Sequence, residues 1–127
     1  MQHCYCGAEL SFKNCCQPII EGIQNASAAE QLMRSRYSAY CIQAADYLVA
    51  TTHASTRKFH KKADILAWSK SNTWLKLEII SSTKNTVEFK AFYLDESLKA
   101  QMHYEKSTFI FENGRWFYVD GVYNKSA

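Results

Sequence analysis

Between residues 27 and 68 apolar side chains return every three or four positions, and from Trp74 onward they return every second one. The first period is that of a helix with one buried face and the second that of a strand, so helices are expected first and a sheet after them. Ser27-Ala28-Ala29-Glu30 has the form of a capping box opening the main helix, along which Leu32, Met33, Tyr37, Tyr40, Cys41 and Ala44 make one apolar face. Arg34 and Arg36 fall elsewhere on the wheel and read first as a solvated flank or as ion-pair partners. Asp46 is placed to cap a short second helix from Tyr47 to Thr52, and Ser55 or Thr56 a third running through Ile65, Leu66 and Trp68.

In the second half Leu75, Leu77 and Ile79 alternate with Lys76, Glu78 and Ile80. After a polar turn, Ser81 to Asn85, the sequence Val87, Phe89, Ala91 and Tyr93 alternates with Glu88, Lys90 and Phe92. A third run spans Met102 to Glu112, and Asn113-Gly114 then forms a two-residue hairpin leading into a last strand, Arg115 to Asp120. Pairing Glu112 with Arg115 sets Phe111 opposite Trp116, Phe109 opposite Tyr118 and Ser107 opposite Asp120, with His103 and Glu105 continuing that row. The other face carries Met102, Tyr104, Thr108, Ile110, Phe117 and Val119, for helices or a partner to cover. The expected fold is α+β, with N-terminal helices closing one side of a curved, mainly antiparallel four-stranded sheet.

Four of the five cysteines fall between Cys4 and Cys16, too crowded for this pattern to be incidental. Bridges within Cys4-x-Cys6 or across Cys15-Cys16 would be strained, and an iron–sulfur cluster sits awkwardly on adjacent cysteines. Tetrahedral zinc on Cys4, Cys6, Cys15 and Cys16 suits the spacing best, with Gly7 bending the chain after the first pair. Four thiolates fill the coordination shell, so the metal reads as structural, and Cys41 as a small buried hydrophobe. Cys4-x-Cys6-Gly7, eight further residues and Cys15-Cys16 together resemble the SEC-C zinc motif, with Ala8 where that motif usually has a serine able to hydrogen-bond a thiolate. A clasp at residues 1–22 and an α+β domain at 23–127 are the expected divisions, separated by a linker with Pro18, Gly22 and Asn25.

Composition adds exclusions. At 127 residues and 47% hydrophobic, one domain with a real core is expected. One zinc with four thiolates lowers the formal charge of +3 by 2, to +1, too little for a nucleic-acid footprint. The sequence shows no basic and apolar leader and no run near the roughly eighteen apolar residues of a membrane helix, so a soluble, cytoplasmic protein with reduced thiols is expected. No nucleophile elbow, phosphate loop or dinucleotide fingerprint is present.

The blocks Met33-Arg34-Ser35-Arg36-Tyr37-Ser38-Ala39-Tyr40, Asp46-Tyr47-Leu48, Thr52-His53-x-Ser55-Thr56, Glu105-x-Ser107-x-Phe109 and Asn113-Gly114-x-Trp116-x-Tyr118-Val119-Asp120-Gly121 resemble the bacterial YchJ-like family. The resemblance implies a SEC-C clasp joined to a cone of the nuclear transport factor 2-like fold, which is shared by dehydratases, isomerases and many non-enzymes. Many relatives carry a second SEC-C motif at the C-terminal end, whereas this sequence has no cysteine after Cys41.

In such a cone the concave face lines a pocket where a His or Asp can move protons, so His103, Glu105, Ser107 and Asp120 of the polar row become candidates, with Arg34, Tyr37, Tyr40, His53 and Trp116 for the other walls. Two functions follow. In the first, a zinc-binding module presents Tyr5, Phe12 and Lys13 of the clasp to a protein partner while the cone binds a partner or forms a homodimer. In the second, the cone takes a small molecule and does acid–base chemistry with Glu105 or Asp120 as base and His53 or Arg34 polarising the substrate. The first is the preferred expectation.

Overall fold

The structure, a computed structural model, describes residues 3–123. Residues 1–2 and 124–127, the outer limits of the two expected segments, lie outside the described residues. Helices α1 (Cys16–Ile20), α2 (Ala29–Cys41), α3 (Ala45–Ala50) and α4 (Lys62–Ser71) precede strands β1 (Thr73–Ser82), β2 (Thr86–Leu94), β3 (Ala100–Glu112) and β4 (Arg115–Tyr123). The strands form one antiparallel meander in the order β1-β2-β3-β4, and the change of period near Trp74 marks the change of structure.

Helix starts differ from the sequence expectation for a common reason: the polar side chains have better partners elsewhere. α2 begins after Ala28, and the Ser27 N–H is taken by the Gln31 side chain, one residue beyond the expected box partner. Glu30 instead accepts from Arg34 Nε at 3.0 Å and Ser82 Oγ at 2.8 Å, tying the helix to β1. Asp46 sits inside α3 and pairs with Lys62 Nζ of α4 at 2.8 Å in place of capping. Thr56 precedes only a short 3-10 turn, Arg57–Phe59, and its hydroxyl donates to the Val119 carbonyl at 2.7 Å.

Leu32, Met33 and Tyr37 of α2 are buried against Val87, Phe89, Ala91, Phe109 and Tyr118, while Ala39, Ala45, Leu48 and Ile65 form a second cluster between helices. The helices therefore cover the Phe109 and Tyr118 face of the sheet. The opposite face leaves Met102 and Ile110 exposed, and no helix lies over it among the described residues.

The hairpin opens as expected, with Asn113 and Gly114 at φ 54° and 78° and Glu112, Phe111, Ile110 and Phe109 paired with Arg115, Trp116, Phe117 and Tyr118. The register then shifts by one residue. Val119 is bulged, so Thr108 pairs with Asp120, Ser107 with Gly121 and Glu105 with Tyr123. The cause lies on the outer edge of β4. Thr52 forms a parallel bridge to Tyr118, with His53 N–H donating to the Tyr118 carbonyl at 2.7 Å and Tyr118 N–H to the Thr51 carbonyl at 2.8 Å, and Thr56 takes the next carbonyl. Asp120 is thereby turned to the exposed face, which corrects its expected place opposite Ser107.

Candidate metal centre and cone pocket

The sulfurs of Cys4, Cys6, Cys15 and Cys16 all lie within 4.8 Å of one another. Cys6 and Cys15 stand 3.8 Å apart, and Cys15 and Cys16 4.0 Å. Metal–sulfur bonds of about 2.3 Å in a tetrahedron space the sulfurs by about 3.8 Å, so the cluster fits one ion with little movement, whereas a disulfide needs about 2.05 Å. All of these cysteines are free thiols.

Local structure explains the closeness. The Cys4 N–H donates to the Leu10 carbonyl at 2.8 Å and the Gly7 N–H to the Cys4 carbonyl at 3.0 Å, folding the first pair back on itself. Gly7 has φ 91°, a left-handed conformation that a side chain would strain. A 3-10 turn, Phe12–Asn14, then delivers Cys15 and Cys16. Hydrogen bonding from Cys16 holds the Cys6 thiol down to about 5, while burial pushes Cys15 up to about 12 and the bond to Cys6 pushes Cys16 up. A bound cation would displace the thiol protons.

The clasp is seated on the cone. Ser38 of α2, fully buried, lies 3.6 Å from the Cys4 sulfur and also hydrogen-bonds Cys16. It supplies from another element the hydroxyl that Ala8 lacks. Arg34, one turn earlier, donates from Nη1 to the Cys6 carbonyl at 2.8 Å, and Leu77 of β1 packs on the cluster. Cys41 stands apart, and burial pushes its thiol up to about 12, as suits an inert thiol.

On the other stripe of α2, Met33, Arg36 and Tyr40 wall a cavity of about 340 Å³ that opens to solvent, completed by His60, Trp68, Phe89, His103, Glu105, Ser107, Phe109, Tyr118 and Tyr123. Its polar centre is Glu105, only 7% exposed. Oε2 accepts from Ser107 Oγ at 2.6 Å and Tyr118 Oη at 2.8 Å, and Oε1 from His103 Nε2 at 2.9 Å. Burial alone would push the carboxyl up, but the bonds from His103, Ser107 and Tyr118 more than offset it and hold Glu105 below the ordinary glutamate range. Burial raises the phenols of Tyr40, Tyr118 and Tyr123 and, with Arg36 adding to it, lowers His60. The Arg36 guanidinium lies 4.5 Å over the Tyr118 ring and donates from Nη1 to the Leu48 carbonyl and the Thr51 hydroxyl.

A family model described as the YchJ middle NTF2-like domain matches residues 28–121. The chain belongs to that family. Its family relatives include the UPF0225 protein plu2503 of Photorhabdus laumondii, 38% identical over 126 aligned positions that cover 94% of this chain and 79% of the relative. A UPF0225 protein of Vibrio cholerae is 37% identical over the same share of this chain and 82% of its own. Two solved structures share the fold. The SEC-C motif containing protein RPA3114 of Rhodopseudomonas palustris superposes with a TM-score of 0.88 at 33% identity, covering 95% of this chain and 98% of that one. A SEC-C motif containing protein of Psychrobacter arcticus gives 0.77 at 27% identity, covering 100% and 85%. The nuclear transport factor 2-like cone and the clasp before it are therefore family features, and the pocket residues can be judged within that frame.

Glu105 and Ser107 line the cone pocket. Arg34 is drawn to the clasp and Glu30, and Tyr37 is buried in the core with its ring 6.2 Å from Trp74. His53 lies beside the hairpin, its Nε2 2.9 Å from Glu112. Trp116 packs at a tilt against Phe111 near that hairpin, with centroids 5.3 Å apart, and lines a separate cleft with Leu32 and Tyr47. Asp120 faces outward. The residues that take their place are Arg36, His60, Tyr118 and Tyr123. Arg36 shares a helical stripe with Met33 and Tyr40, a spacing that could have singled it out. Tyr123 enters only through the bulge.

Proposed function

We propose that the chain is a zinc-clasped domain of the cytoplasm whose cone pocket binds a small, uncharged, ring-bearing organic molecule. The pocket carries the reading: an open cavity of about 340 Å³ in which a buried carboxylate, hydroxyls and a guanidinium converge among Trp68, Phe89 and Phe109. Aromatic walls with a few placed polar groups are the usual make-up of a small-molecule site. Glu105 and Arg36 offset each other in charge, which favours a ligand without net charge of its own. Phe111 and Trp116 stand outside this cavity and leave it open. Zinc suits the clasp because a closed shell of four thiolates leaves no position for water and needs no redox change, and free thiols suit a reducing compartment.

The test has two parts, both on the whole chain purified without chelator. Elemental analysis should give one zinc per chain. In a screen of small aromatic fragments by amide shift mapping, binders should move the signals of His103, Glu105, Ser107 and Tyr118 together. A library that shifts none of them refutes the pocket reading.

The clasp supports a second reading, docking to a protein partner. Tyr5 and Leu10 are 50% and 57% exposed, and Tyr5 packs edge-on against Phe12 at 5.2 Å, leaving an apolar patch with Lys13 beside it. Under that reading Leu10→Asp abolishes capture of a partner while zinc content is unchanged, and equal capture by both chains removes the clasp surface from the account.

A further inference from the structure

The four sulfurs of the clasp are unequally sheltered. Cys4, Cys6 and Cys16 are 4%, 0% and 1% exposed, whereas Cys15 is partly open to solvent. The three buried ones also have hydrogen-bond partners other than sulfur: the Ser38 hydroxyl reaches Cys4 and Cys16, and the Ala8 N–H donates to Cys6. Among the described residues the hydrogen-bonding neighbours of the Cys15 sulfur are other cysteines, Cys6 at 3.8 Å, Cys16 at 4.0 Å and Cys4. A hydrogen bond to a thiolate draws charge off the sulfur and makes it a poorer nucleophile, and burial shuts reagents out. Cys15 has neither protection. Its neighbour Cys6 is separated from it by eight residues of chain, so a bridge between these two escapes the strain of one across the adjacent pair Cys15-Cys16. The accessible sulfur of the clasp therefore lies beside a partner able to capture it.

We propose that Cys15 is an oxidative modification site: a peroxide attacks its sulfur, Cys6 captures the product as a disulfide, and the clasp lets go of its metal. This rests on the zinc reading of the clasp above and is independent of the cone pocket. In the first step the electron pair of the Cys15 thiolate attacks a peroxide oxygen, the O–O bond breaks, and Cys15 becomes a sulfenic acid as hydroxide leaves. In the second, the Cys6 thiolate attacks the Cys15 sulfur, the S–O bond breaks, and a second hydroxide leaves. Two thiolates have then lost two electrons, and one hydrogen peroxide has been reduced to two hydroxides, which take protons from solvent. The two sulfurs close from 3.8 Å to about 2.05 Å. Only Cys4 and Cys16 remain as thiolates, and two ligands do not make a closed tetrahedral site. A dithiol reductant reverses the bridge by exchange.

The probe is hydrogen peroxide, added at about one equivalent to the zinc-loaded full chain, with a chromogenic chelator reporting free metal. Zinc should be released in step with peroxide consumed, and peptide mapping should join Cys6 to Cys15 while Cys4, Cys16 and Cys41 stay open to alkylation. Dithiothreitol followed by zinc should restore the site. On the untreated zinc-loaded chain, a limiting amount of N-ethylmaleimide should label Cys15 about tenfold ahead of any other cysteine. Ser38→Ala should quicken release severalfold and let the label reach Cys4 and Cys16, whereas Cys41→Ser, outside the clasp, should release at the wild-type rate. The wild-type map decides the matter even where a variant fails to fold. A chain that keeps its zinc as the peroxide is consumed, or a bridge or first label that omits Cys15, overturns the proposal and leaves the zinc reading standing. A chain that holds no zinc at the outset overturns both.

Discussion

The clasp and the pocket share one helix and are built by different rules. Arg34 and Ser38 lie on the stripe of α2 that faces the cysteines, and Met33, Arg36 and Tyr40 on the stripe that faces the cavity. The clasp draws its four sulfurs from one short stretch of chain, closed by two turns. The pocket draws its walls from two helices, a loop and three strands, and its central carboxylate has partners on two of those strands. A site of the first kind is built to be held by a metal, and one of the second kind is held by the register of a sheet. Each should fail in its own way.

The largest effect is expected at the clasp. Cys16→Ser removes a fully buried ligand, so the chain should purify without stoichiometric metal and lose about 4 kcal/mol or more of unfolding free energy, read by elemental analysis and denaturant titration. A chain that keeps both its metal and its midpoint would show that the four-sulfur centre does not hold the clasp.

Next comes Gly121→Ala, which tests the register. A Cβ there would stand 2.1 Å from Glu105 Oε2, and that carboxylate cannot simply swing away because three donors hold it. A loss of about 2 kcal/mol is expected from overpacking, together with loss of fragment binding in the cone but normal metal content. Wild-type stability would mean that the bulge at Val119 is not where β4 places it.

Glu105→Gln should cost somewhat less, about 1.5–2 kcal/mol at neutral pH, by replacing a charged acceptor with an amide. The pH dependence has a definite sign. A carboxylate held below its ordinary range stabilises the fold above the unfolded value, about 4.3, and that contribution disappears as pH falls through the folded one. The acid limb of wild-type stability below about pH 4 should therefore be steeper than that of the variant. Parallel limbs in the two chains would remove Glu105 from the pH response.

His53→Ala should have the smallest effect, about 0.5–1 kcal/mol, because its partner Glu112 stands half exposed at the surface and the pair is correspondingly screened. Fragment binding should be unaltered. A loss of binding would bring His53 back into the pocket wall.

These contrasts also mark what could be read from the chain. The cysteine spacing picked out directly the four sulfurs that come together, because all four lie within one local turn system. Strand periodicity and Asn113-Gly114 gave the meander and the first four rungs of the last hairpin. The row from Phe109 back to Glu105 was legible for the same reason. Asp120 was misplaced because one bulged residue reverses every side chain beyond it, and the bulge is imposed by Thr52 and Thr56, distant in sequence. Residue type alone points Arg34 and His53 to the pocket, whereas their long-range partners, Cys6 and Glu112, are set by how the elements dock.

Ser38 bears on how portable the clasp is. In this chain a hydroxyl beside the sulfurs is furnished by α2, some twenty residues downstream, while the motif's own position is alanine. The cysteine segment is therefore not a self-sufficient cassette. Grafted onto a foreign protein it would leave that hydroxyl behind, and a transplant would have to restore a serine at position 8 or bring the helix with it.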